Sequence, residues 1–139
     1  MEQNAAPLIH TLIHHLSSLY AREADQILQE QLGIGFSQFK ILHVLQQNAA
    51  TQQKHISFQL GQTEASISRQ IKLLERRGLL ESGVNPANRR EHTTILTMKG
   101  ERITEAAQTV LTNFQNNSIA HMPVKQQAQL LELLSEIHR

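Results

Sequence analysis

"ISFQLGQTEASISRQIKLLERRGLLE", residues 56–81, holds two short helical patterns separated by a glycine. Ile56 and Leu60 recur at helical spacing, and Gly61 stops the first pattern. Thr63 is placed to cap a second helix, whose Ile67, Ile71 and Leu74 fall at i, i+4 and i+7 and form one apolar stripe. Gly78 ends it. Turned away from that stripe are Gln62, Ala65, Ser66, Arg69, Lys72 and Arg76, with Ser68 and Gln70 on the flanks. Two helices joined by a tight turn, the second with a small and basic outer face, make a helix-turn-helix, whose second helix enters the DNA major groove. Ala65 and Ser66 are small enough for close approach, Arg69 can fork onto a guanine edge, and Gln70 can pair with adenine.

Downstream, "LLESG" (79–83) and "TTILT" (93–97) are two short β-capable runs joined by a loop rich in Asn, Pro and Arg. Residues 79–97 therefore read as a hairpin. Asn88, Arg89 and Arg90 stand near its tip, where a basic wing reaches the neighbouring minor groove.

Working outward, residues 7–31 carry apolar side chains at helical spacing, in a stripe wide enough to pack on two sides. A second helix follows, with Ser37 as its expected N-cap, Phe36 and Ile41 as a staple, and Phe39, Leu42 and Leu45 facing inward. "QNAATQQK" (47–54) is expected to be a polar connection. Thr97 is placed to cap a fifth helix, where Ile103, Ala106, Ala107, Val110, Leu111 and Phe114 repeat at helical spacing, and Pro123 fits the first turn of a sixth, with Leu130, Leu131, Leu134 and Ile137 as its stripe.

Composition narrows the function classes. The chain of 139 residues suits one domain and contains no cysteine, which removes disulfides, thiolate metal sites and cysteine nucleophiles. The start, "MEQNAAPLIHTLIHHL", lacks a basic residue ahead of its apolar ones and is interrupted by histidines, so a cytoplasmic protein is expected. Net charge is +1, yet residues 66–102 hold eight basic against four acidic groups, the footprint of a polyanion-binding face. No nucleotide-binding glycine loop or catalytic serine setting is present, and an enzyme is not expected.

These residues resemble the multiple-antibiotic-resistance regulator (MarR) family. The stretch 56–81 is similar to that family's helix-turn-helix, and "NPANRREHTTILTMKG" (85–100) to its wing, usually Asp-Pro-x-Asp-Arg-Arg followed by a strand ending Leu-Thr-x-x-Gly. The resemblance implies a mostly α fold with a small β-hairpin wing: a single 1–139 domain whose residues 36–97 form the winged helix-turn-helix and whose residues 7–31 and 98–139 form dimerisation helices. It implies a homodimer on a pseudopalindromic double-stranded operator, acting as a repressor released by a small, aromatic or anionic effector. Leu12, Leu130, Leu131, Leu134 and Ile137 are the expected interface residues, and Leu16, Tyr20, Phe39 and His43 the expected lining of an effector crevice. The apolar breadth of the first helix and the leucine-rich sixth point to a dimer independently, since so small a winged domain offers them no partner.

Two departures stand out. The wing acids of the family are here Asn85 and Asn88, the latter expected to hold the Arg90 guanidinium by hydrogen bond without charge, and a commonly basic position is Ser82–Gly83. A winged-helix protein-interaction module with weak or lost DNA binding is the alternative these departures support, and an architectural DNA binder without sequence preference is a third. His10 and His14 lie one helical turn apart beside His15, but the helix-five histidine pair of zinc-sensing relatives is replaced by Gln108 and Thr112, so no metal or other cofactor is expected.

Overall fold

The computed structural model describes residues 4–138 apart from Pro86; for Asn85, Arg89 and Glu91 only the backbone is described. The chain begins with α1 (Ala6–Leu32), which enters through Pro7 in its first turn and leaves through Gly33 in the left-handed region at φ +67°. Then come α2 (Phe36–Gln47), β1 (Thr51–Gln52), α3 (Gln53–Leu60) and α4 (Glu64–Arg76). The strands β2 (Leu80–Asn85) and β3 (Asn88–Leu96) form the hairpin, followed by α5 (Met98–Ile119) and α6 (Val124–Ile137).

The three strands form one antiparallel sheet in the order β1-β3-β2. Leu80 pairs with Leu96 and Val84 with His92, while Thr51 and Gln52 pair with Thr94 and Thr93. The segment expected to be a plain polar connection thus contributes β1, two residues that close the hairpin's other edge. A second correction concerns α2. Its N-cap is Gly35, not Ser37. Phe36 N–H donates to the Asp25 carboxylate of α1 at 2.9 Å and Gly35 N–H to the Gln38 side chain at 3.1 Å, so a side chain from another helix and one from the helix's own first turn meet its open donors.

The core lies where α2, α4 and the base of the hairpin meet α1 and α5: Leu28, Ile41, Leu42, Ile67, Ile71, Leu74, Leu79 and Leu111 are all buried. The two ends of the chain differ sharply from this centre. Leu8, Ile9, Leu12, Ile13 and Leu16 of α1 are exposed, and α6 has no buried residue. Among the described residues no helix is long and apolar enough to cross a membrane.

Candidate nucleic-acid interface

The inner stripe of α4, Ile67, Ile71 and Leu74, is buried against the core, which forces its opposite face outward. Ala65, Arg69, Lys72 and Arg76 are exposed there, spaced so that they share that face. Ser66, Ser68 and Gln70 lie at the helix's half-buried edges, and the Gln70 side-chain oxygen is enclosed with no hydrogen-bond partner among the described residues. Gln62 stands in the turn before α4. Its N–H donates to the Ser57 carbonyl at 3.1 Å and its carbonyl accepts from the Ser57 hydroxyl, which fixes the turn between α3 and α4. Thr63 accepts from Ser66 N–H at 3.1 Å, and Glu64 in the first turn with Arg76 in the last complement the helix dipole. Leu73, one turn beyond Arg69, is 43% exposed and was not singled out from sequence; its signal was an apolar residue off the Ile67–Ile71–Leu74 stripe.

The wing is tied to α4 by a hydrogen bond from the Ser82 hydroxyl to the Glu75 carboxylate. At the position where relatives often carry a basic residue, this chain therefore has a strut. Asn88 does not orient the Arg90 guanidinium as expected. Its side-chain oxygen accepts from the Arg90 backbone N–H at 3.1 Å, holding the turn of the hairpin. Arg90 is exposed, whereas the side chain of Arg89 lies outside the described ones.

The Leu-Thr-x-x-Gly run works as a joint. Thr97 donates its hydroxyl proton to the Gly78 carbonyl at 2.6 Å, accepts from Gly100 N–H at 3.0 Å and sends its own N–H to the Leu79 carbonyl at 3.1 Å. A Cβ on Gly100 would sit 2.0 Å from that same carbonyl oxygen. Two members of the basic middle segment also belong to the scaffold. Arg77 donates to the Gly33 carbonyl at 2.8 Å and Lys99 to the Arg77 carbonyl at 2.9 Å, locking the end of α4 to the exits of α1 and β3.

The expected effector crevice divides into two places. Leu16 and Tyr20 line a groove of about 340 Å³ with Phe114, Ile119 and Glu23 between α1 and α5. Phe39 is not on it: only 6% exposed, it belongs to the core and stacks between Phe36 and His43 with ring centroids 6.4 and 5.5 Å away. His43 is half-buried beside it, its Nδ1 enclosed without a partner among the described residues. Leu12, Leu130, Leu131, Leu134 and Ile137 are all exposed on the two terminal helices. Gln108 and Thr112, at the place of the zinc-sensing histidines, face each other at 3.4 Å.

The MarR-family profile matches residues 32–91. No curated protein sequence matches the chain. Solved structures with similar folds include a mutant of Escherichia coli MarR, at TM-score 0.85 and 22% identity over 94% of this chain and 96% of that one. A putative MarR-like transcription regulator from Bacillus cereus superposes at TM-score 0.86 with 20% identity, over 96% and 95% of the two chains. The E. coli mutant complexed with operator DNA gives TM-score 0.81 and 22% identity, over 98% and 99%. Residues 32–91 thus match the MarR-family model, within a chain whose fold is similar to that of MarR-type structures over more than nine-tenths of its length.

Proposed function

We propose that the chain is a sequence-specific DNA-binding regulator of transcription, working as a homodimer on a pseudopalindromic operator and repressing until a small effector releases it. The observation that carries this is the outward face of α4: Ala65, Arg69, Lys72 and Arg76 are exposed together on a helix capped at its start and strutted to the wing. A small residue allows close approach, and the cations supply base-edge and phosphate contacts. The operator complex of the E. coli relative adds weight to the reading. Two-fold pairing would cover the apolar residues that α1 and α6 expose. The groove beside Tyr20 and Phe114 is the place for an effector, and because Glu23 is the charged group on its wall, a neutral or cationic aromatic molecule suits it better than an anion.

The test is selection of duplexes from a random pool by the full chain, followed by footprinting. A two-fold footprint with half-site centres about 10–11 bp apart, or a multiple of that, is expected. Protection of one unsymmetrical half-site by a monomer would refute the dimeric operator, and failure to enrich any duplex would favour the protein-interaction alternative.

A further inference from the structure

His92 and Thr94, in the stretch of β3 that pairs regularly with β2, share one face of the strand, and Arg90 lies beyond the register shift that follows Val84. Thr94 is wholly buried, which makes that face the inner one. Gln52 pairs with Thr93, and α3 begins at the next residue, so the start of α3 is held alongside the same strand. Between them lies a cavity of about 240 Å³ lined by Gln52, Gln53, Lys54, Arg90 and His92. Every described side chain that lines it carries an N–H donor, and no carboxylate among the described residues lines it. Lys54 and Arg90 are like charges, and their mutual repulsion is relieved when an anion sits between them. The N-cap of α3, Gln52, makes no side-chain capping bond, so the first N–H groups of the helix are open at this end.

We infer that this cavity is a phosphate site, in which Lys54, Arg90 and His92 grip one phosphodiester of the DNA backbone. The inference rests on the DNA-binding function proposed above. A backbone phosphate is favoured over a free anion because the cavity opens between the helix-turn-helix and the wing, the two parts that function places on the duplex. A strand running from one to the other crosses it. Lys54 and His92 thereby join the interface, and Arg90 acts as a phosphate clamp in place of the minor-groove reader that its nearness to the hairpin tip suggested.

The experiment uses a duplex enriched by the full chain, a scrambled duplex, and copies of the first in which single phosphates are replaced by neutral methylphosphonates. Thermal unfolding checks that the variants fold. Lys54→Ala and His92→Ala are expected to weaken binding of both duplexes by the same factor, up to roughly tenfold, and Lys54→Ala to lower the salt slope by about 1. One methylphosphonate position per half-site should reproduce that loss and abolish the further effect of Lys54→Ala. Arg90→Ala should lose equally on A/T-rich and G/C-rich flanks. Unchanged affinity and slope in the Lys54 and His92 variants, while Arg69→Ala still relaxes base preference, would overturn the phosphate site and leave DNA binding intact. A loss for Arg90→Ala confined to A/T-rich flanks would overturn the clamp. Stabilisation of the wild-type chain but not of Lys54→Ala by inorganic phosphate, with DNA affinity unchanged in the variant, would assign the cavity to a free anion and overturn the backbone contact. If the full chain enriches no duplex, the DNA-binding function fails and this site with it.

Discussion

Gly100 occupies a helix position where glycine ordinarily costs stability relative to alanine, by about 1 kcal/mol. Here the helix start is pressed so closely on Leu79 that a methyl group has nowhere to go. Gly100→Ala should therefore lose about 3 kcal/mol despite its better helix propensity, seen as a drop in Tm on the order of 10 °C. An unchanged or raised Tm would show that α5 can slide away from the Leu79 carbonyl. Arg69 is the opposite kind of residue, exposed and free to make its contacts with a partner. Arg69→Ala should leave folding stability within about 0.5 kcal/mol of the parent while costing about 1–3 kcal/mol of specific DNA affinity and relaxing preference at one base pair per half-site. Equal loss on every sequence, measured by titration at one salt concentration, would reduce Arg69 to a phosphate contact.

Among the elements, β1 shows how little chain is needed to fix a neighbour. Its two residues join β3 to the helix-turn-helix and bring α3 to the base of the wing. The pairing places Thr51 opposite Thr94, both buried and both with hydroxyl oxygens lacking a hydrogen-bond partner among the described residues. A buried hydroxyl without a partner forfeits its hydration, so Thr94→Val, which keeps the shape and removes the oxygen, should stabilise the fold by roughly 1 kcal/mol in chemical denaturation. Destabilisation by the same amount would mean that the two hydroxyls bond each other or an internal water.

At the scale of the whole molecule, the chain has a packed centre and two apolar ends. Leu131 is 68% exposed and Leu134 45% exposed on a helix with no buried residue. An isolated amphipathic helix of this length gains little from propensity alone and needs its apolar face covered. Leu131→Glu or Leu134→Glu should convert a dimer to monomer or aggregate and abolish operator binding, although neither residue belongs to the proposed DNA-facing set. Sedimentation alongside DNA titration checks this; a soluble dimer with unchanged affinity would remove α6 from the interface.

The helices, the turn at Gly61, the caps at Thr63 and Thr97 and the hairpin were legible in sequence because each is decided within a few residues: apolar spacing, a cap side chain, a left-handed glycine. The outward face of α4 followed from its buried stripe by helix geometry alone. What depends on residues far apart in the chain had no local signal. Asp25 reaches across from α1 to the start of α2 and makes Gly35, not Ser37, the cap. Two residues carry no period, so β1 exists through its pairing with a strand about 40 positions later. Arg77 and Lys99 looked like members of a DNA-facing charge cluster until tertiary packing gave them backbone carbonyls to hold. Lys54 and His92, almost 40 residues apart, share a cavity because antiparallel pairing sets β1, and with it the start of α3, beside the central strand β3. The sequence by itself determined the elements and the chemistry each could present, since both are set by local sterics and side-chain type. Which cations are structural and which are left for a partner was decided by the tertiary structure, because that depends on which carbonyls and cavities lie within reach of each side chain.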